Sequence, residues 1–392
     1  MFKQFVALAV LGLRSLPQRL GNASVIVVGS AGVVAVLVSV LAMAAGLRHT
    51  LAGHGRADRA IALRIGSDTE IGSALSRSDL DAFSGLPGIA RDASGTPAVS
   101  GEVVTVVALP MRDGSGEGNV VLRGVGPALE AVRPEFRIVE GRRFRPAVRE
   151  LVVGRAAVAQ YAGLVPGRVL HLRNADWTIV GVFETGGDAH ESELIADADT
   201  VGSAIARPGY TSAVAMLDAA SSFTPLATAL AADGRAKLEP HRESDYVRAQ
   251  SHGMEATISA VGRIVGAIMA LGACFAALNS MISALAERRR EIATLRAIGF
   301  MPAAVVAAVL LEAMLLATLG GAIGAGVAWL GFDGHRVSTL GSAFAQVAFP
   351  LRVDAPLAAT GVLWACVIGL VGGLLPALSA ARQPVVEGLR AT

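Results

Sequence analysis

Lysine is almost missing from this chain of 392 residues, which holds only Lys3 and Lys237 and takes the rest of its positive charge from arginine. A phosphate-binding P-loop needs a lysine directly after glycine, where its ammonium reaches the β- and γ-phosphates. Lys3 follows Phe2 and Lys237 follows Ala236, so this sequence carries no standard ATP-binding loop. Cysteine is equally scarce. Cys274 and Cys366 sit in apolar runs and the polar middle of the chain has none, so that part is held by its core and not by disulfides. Aromatic residues make up 5% of the chain, the net charge is +2, and no basic tract carries interleaved aromatics. Nucleic acid is therefore not an expected partner. No HExxH occurs and the histidines lie outside the long apolar runs, which leaves an intramembrane zinc protease without ligands. No nucleophile stands with a base, so the chain is expected to be non-catalytic and to bind no metal or cofactor.

What the chain has in excess is apolar length. Residues 24–46, 303–330 and 356–380 are each long enough to cross a bilayer at about 1.5 Å per residue, as is the apolar part of 255–285, whose helix is expected to start above the membrane near Glu255. Ala42-Met43-Ala44 has the form of a signal-peptidase site. The apolar run is longer than a signal core and the site comes late, so the first run reads as an uncleaved anchor. Residues 1–23 read as an interfacial amphipathic helix with Phe2, Phe5, Val6, Ala9, Leu13 and Leu16 on one side. Lys3, Arg14 and Arg19 before the first run, and Arg288–Arg290 with Arg296 between the second and third, mark the cytoplasmic side. Both termini, including the tail 381–392, are then inside; residues 47–254 and the loop 331–355 are outside. Gly320, Gly321, Gly324, Gly372 and Gly373 form small-residue surfaces that let helices approach closely in lipid. Packing within one subunit is their first reading and a dimer interface the second. Glu312 is a carboxylate inside a span, and a hydrogen-bonded structural role is expected ahead of an ion relay.

The outer part reads as mixed α/β. Val103–Leu109, Val120–Val125, Leu151–Val153, Val169–Leu172 and Trp177–Phe183 are strand-like runs bounded by turn residues. Asp79–Ser84 follows Ser78, read as an N-cap, and Phe223, Leu226, Ala227 and Leu230 recur at helical spacing. A strand-rich subdomain at about 118–199 is expected within a more helical frame. The acidic run Gly187–Asp199, with His190, Glu191, Glu193, Asp197 and Asp199, fits no calcium loop and reads as a solvated segment.

Residues 286–302 form a short charged helix between two spans. Gly299 is placed to cap it and Pro302 to open the next helix. Ile292, Leu295 and Ile298, spaced by three, read as an apolar ridge flanked by Glu287, Arg288, Glu291 and Arg296. The run Glu287–Gly299 (ERRREIATLRAIG) is similar to the coupling helix of a known family. Leu311–Gly324 is similar to that family's third span, and Leu374–Arg390 to its C-terminal signature through Pro376, Ala380, Arg382, Pro384, Leu389 and Arg390. GNVVLRGV, EGRRF, ELVVGRAAVAQ and VGVFETGG resemble its periplasmic core. By these motifs the chain resembles the permease subunits of the MacB/FtsX-like, or mechanotransmission, ABC transporters. The resemblance implies a multi-pass protein of the bacterial inner membrane with four spans and a large mixed α/β periplasmic domain after the first. It also implies a second permease subunit, most simply a homodimer, in membrane lipid, and a separate cytoplasmic ATPase that binds ATP and Mg²⁺. Contact with that ATPase would run through Glu287, Arg288, Glu291, Ile292, Leu295, Arg296, Ile298 and Gly299. A periplasmic adaptor and an outer-membrane channel are further partners in such systems. Outward regulation of a cell-wall hydrolase through the same ATPase is the alternative. A sensor kinase needs a long cytoplasmic part with its own ATP lid, which the short cytoplasmic segments expected here do not match.

Overall fold

Among the residues that the computed structural model describes, 20–52, 55–234, 236–340 and 346–382, four helices are long and apolar enough to cross a membrane. The amphipathic segment expected at 1–23 and the tail 381–392, with Pro384, Leu389 and Arg390 of the C-terminal signature, lie largely outside those residues. The chain forms two units, a helical one of Met1–Gly46, Ala256–His335 and Leu351–Thr392, and an α/β one of Leu47–Glu255 with Arg336–Pro350.

In chain order the elements begin with α1 (Leu20–Ala52), which enters the α/β unit. There follow β1 (Arg59–Arg64), α2 (Arg77–Ser84), β2 (Val99–Pro110), β3 (Glu117–Val125), α3 (Leu129–Val132), β4 (Arg137–Gly141) and β5 (Glu150–Gly154). Next come α4 (Arg155–Gln160), β6 (Val169–Leu172), β7 (Ala175–Glu184), β8 (Leu194–Asp197), α5 (Ala198–Ala204), β9 (Ser212–Met216), α6 (Phe223–Asp233) and β10 (Leu238–Arg242). The chain then runs through α7 (Glu243–Glu287), α8 (Arg289–Ala297) and α9 (Pro302–Phe332), a hairpin of β11 (Arg336–Leu340) and β12 (Gln346–Pro350), and α10 (Ala355–Arg382).

One ten-stranded sheet, ordered β10-β1-β9-β2-β3-β8-β5-β7-β4 with β6 on β7, organises the α/β unit. The pairs β3–β8 and β5–β7 are parallel and the others antiparallel. Six of the ten strands, β3 to β8, come from about 118–199 and continue directly into the other four, so the strand-rich part is not a separate subdomain in a more helical frame. Alternation along the strands loads both faces. Ala60 and Ala62 face Phe83 of α2 and Leu226 and Leu230 of α6, while Ile61 and Leu63 face Val132 and Val214. Leu151 and Val153 join a core around the fully buried Trp177, and Val152 joins Phe136 and Phe183 on the other side. The N-cap of α2 is Ser76 and not Ser78. Ser76 Oγ accepts from Asp79 N at 3.1 Å and Asp79 Oδ2 from Ser76 N at 2.8 Å, a reciprocal capping box.

Two further expectations are corrected. The loop read at 331–355 contains the β11–β12 hairpin, which belongs to the α/β unit; there Ala348 N donates to Ser192 Oγ at 3.1 Å and Phe349 is fully buried. The helix of the second span starts at Glu243, twelve residues before the expected Glu255, because polar residues on a helix above the membrane give no apolar signal. In the helical unit Gly320, Gly321, Gly324, Gly372 and Gly373 sit at close approaches between the chain's own helices. A methyl group on Gly320 or Gly324 of α9 would strike the backbone of α1, at Val27 and Ala31. One on Gly321 would lie 2.5 Å from the Ala365 methyl, and ones on Gly372 and Gly373 would lie 3.0 and 2.7 Å from those of Ala277 and Ala313.

Candidate functional site

The short helix α8 is a defined structural piece with two sharp ends. Arg288 breaks α7 from α8 with φ −101° and ψ 6°. At the other end Gly299 has φ +103°, a conformation that only glycine adopts without strain. Gly299 N donates to Arg296 O at 3.1 Å and Phe300 N to Leu295 O at 3.2 Å, the paired bonds of a Schellman stop. Pro302, which has no N–H to leave unpaired, opens α9.

The apolar ridge is not continuous. Ile292 is 7% exposed and packs with Leu285, Ala304, Val305 and Val309, with Leu295 against the same cluster, whereas Ile298 is 72% exposed. Each step of three residues turns a helix by about 300°, so two steps leave Ile298 about 120° round from Ile292. Ile292 and Leu295 therefore anchor α8 to its own unit. The face open to a partner carries Glu287, Arg289, Arg290, Glu291, Ile298 and Gly299, with Met301 just beyond it at 47% exposure. Arg288 and Arg296 are half-buried. Arg288 turns inward: its Nη1 lies 3.4 Å from Glu312 Oε2 and its Nε 3.2 Å from Glu291 Oε2. A cavity of about 30 Å³ lies beside this pair, lined by Arg288, Glu291, Ile292, Val309 and Glu312 among others. The intramembrane carboxylate thus ties the short helix to α9.

A second cluster, in the α/β unit, was not read from the sequence. Arg123 of β3 donates from Nε to Glu193 Oε2 at 2.7 Å, from Nη1 to Glu102 Oε2 at 2.6 Å and Glu70 Oε1 at 2.9 Å, and from Nη2 to both Glu70 and Glu193 at 3.1 Å. Arg133 bonds Glu243 at 3.0 Å and reaches Glu102 at 3.5 Å. Arg59 bonds Glu243 at 3.0 Å and Glu135 at 2.6 Å. Three arginines therefore meet five glutamates, and His190 Nδ1 adds an ion pair to Glu193 at 3.1 Å. Burial opposes the charge on Glu193, but Arg123 and His190 outweigh it and hold its pKa far below the carboxylate range. Burial and Arg133 oppose a proton on His190; Glu193 and Asp188 prevail and raise its pKa. The run Gly187–Asp199 is therefore not a solvated segment, since Asp188, Glu191, Ser192 and Glu193 are buried. Asp197 caps α5, and of the run's acidic residues only Asp199 is exposed, paired with Arg77. Among the described residues no group of His, Cys, Asp and Glu could hold a metal ion. The available signal was a single charge inside an apolar strand, as in Val120–Val125, where Arg123 interrupts VVLRGV.

Comparison with known proteins agrees with this layout. Residues 20–233 match the family described as MacB-like periplasmic core domain, and residues 263–385 match FtsX-like permease C-terminal. The uncharacterized ABC transporter permease YknZ of Bacillus subtilis is 30% identical over 130 residues, which are 33% of this chain and 30% of that protein. The macrolide export ATP-binding/permease protein MacB of Rhodopirellula baltica is 32% identical over 140 residues, 33% of this chain and 19% of that protein. MacB of Bordetella avium is 25% identical over 317 residues, 74% of this chain and 46% of that protein. The chain thus spans under half the length of these relatives. Among solved structures, the extracellular domain of YknZ has a TM-score of 0.36 at 14% identity over 47% of this chain and 99% of that one. The periplasmic region of MacB from Actinobacillus actinomycetemcomitans has a TM-score of 0.36 at 15% identity over 52% and 95%.

Proposed function

The chain belongs to the MacB/FtsX-like family of ABC transporter permeases, and from that premise we propose that it passes ATP-driven motion of a cytoplasmic ATPase to its periplasmic domain, moving a substrate on the periplasmic side or from the outer leaflet. The observation that carries this reading is α8: a short helix with sharp stops, anchored inward by Ile292 and the Arg288–Glu312 pair, that keeps a charged face and two exposed apolar side chains free. ATP and Mg²⁺ belong to the ATPase, whose groove would receive this face in a helix-in-groove mode. Two permease copies with two ATPases would form the working complex. The test is capture of an ABC ATPase with ATP turnover by the purified permease, together with cysteine labelling from intact cells. Cysteines near Ser115 should react from outside and those near Arg290 only after permeabilisation. The opposite labelling pattern, or a permease that brings down no ATPase, rejects the proposal.

Glu312 is not expected to relay ions. In Glu312→Gln the amide oxygen still faces Arg288, and Arg288 keeps Glu291 as its counter-ion. Near-normal coupled ATP turnover and transport are the expected results. Loss of transport by an assembled complex would make the carboxylate itself part of the cycle.

A further inference from the structure

The inserted α/β unit is joined to the spans by three stretches of chain: the exit of α1, which reaches Arg56; the start of α7 at Glu243; and the β11–β12 hairpin between α9 and α10. The first two end on the same buried charges and the hairpin on the residue beside them. Arg56 N donates to Glu243 Oε2 at 3.2 Å, and Glu243 is held by Arg59 and Arg133. Arg133 reaches Glu102, Glu102 binds Arg123, and Arg123 binds Glu193. Glu193 is the neighbour of Ser192, whose hydroxyl takes the N–H of Ala348 in the hairpin.

We propose that this network is a mechanical junction, in which Arg123 and Arg133 act as positioning residues that bind the α1 exit, the α7 start and the hairpin into one block, so that a displacement entering through one is shared by the others. The chemistry suits that task better than apolar packing would. Apolar contact is non-directional and lets surfaces slide, whereas bidentate arginine–carboxylate pairs fix both distance and angle. Every N–H of the Arg123 side chain points at one of Glu70, Glu102 and Glu193, so its guanidinium has no second orientation that keeps its bonds. Glu102 is fully buried and accepts from both Arg123 and Arg133, which makes it the link between the hairpin side and the α7 side. The permease reading supplies the use of this junction but not its existence.

Hydrogen exchange on the full chain in lipid nanodiscs tests it without the ATPase. In Glu243→Gln, amides of 188–196 and 346–350 should lose protection along with those around residue 243, by about tenfold, within the range of couplings between residues of one network. Amides of α6, which lies outside the network, should not change. The milder Ser192→Ala removes one hydroxyl at the far end and should, by reciprocity, loosen 240–246. Loosening confined to the neighbourhood of each substitution overturns the junction, even where ATPase capture is intact. Mutual loosening supports it, even where no ATPase is captured.

Discussion

Ile298→Asp combined with Met301→Asp is expected to abolish capture of the ATPase while the permease stays inserted and folded. Ile298 and Met301 are the exposed apolar side chains beside the charged face of α8. Burying two such side chains contributes about 3–6 kcal/mol before association costs. Losing that, and placing two carboxylates in the contact, should weaken binding by roughly a hundredfold or more. The folded chain should tolerate both changes, because Ile298 touches little of its own unit and position 301 is the N-cap of α9, where Asp is a favoured residue. Ile292→Asp with Leu295→Asp is a poor probe. Ile292 is anchored in the chain's own core, so a carboxylate there should destabilise the helical unit itself. Pull-down of the ATPase and ATP turnover by the complex are the measurements. Wild-type capture by the Ile298→Asp/Met301→Asp protein would leave α8 a charged loop with no partner.

The spans and the strands were legible because each rests on a local pattern. Val103–Leu109 and Val120–Val125 became β2 and β3, and Phe223–Leu230 became α6, since β-branched runs and helical spacing are read over a few residues. Gly299 and Pro302 marked the end of α8 and the start of α9 by the same kind of local rule. What stayed hidden depends on partners distant in sequence. Glu193 looks solvated until Arg123, seventy positions earlier, is laid beside it by the parallel pairing of β3 and β8. The hairpin at Arg336–Pro350 looks like a loop because its role comes from the face of Ser192, more than a hundred residues away. The direction of Ile292 is hidden for a simpler reason: residues three apart do not line up along a helix but wind around it.

Arg123→Met is expected to destabilise the α/β unit severely near neutral pH. Removing one partner of a buried ion pair costs about 3–5 kcal/mol, because the charge left behind is neither hydrated nor paired. Arg123 serves three carboxylates at once, Glu70, Glu102 and Glu193, and its side chain is 5% exposed. The loss should reach at least the upper end of that range, against a domain stability of about 5–15 kcal/mol. Dependence on pH separates this cause from mere loss of packing. In the wild-type chain the pKa values of Glu70, Glu193 and Glu243 are lowered on folding. Their contribution is therefore complete above the unfolded value of about 4 and is lost only as pH falls below it through the folded one, whereas between pH 8 and pH 5 the raised pKa of His190 adds stability as pH falls. Without Arg123, Glu70 keeps only the Ser212 hydroxyl, so burial raises its folded pKa; the group then gains from protonation, and the variant should gain more stability than the wild type between pH 8 and pH 5. Trp177, fully buried in this unit, reports the melt once Trp329 and Trp364 of the helical unit are replaced by Phe. A variant that melts as the wild type does at pH 8, or that gains no more stability than the wild type between pH 8 and pH 5, would mean that the glutamates hold their charge without Arg123. The network would then be a set of separate pairs, with no shared block for the spans to move.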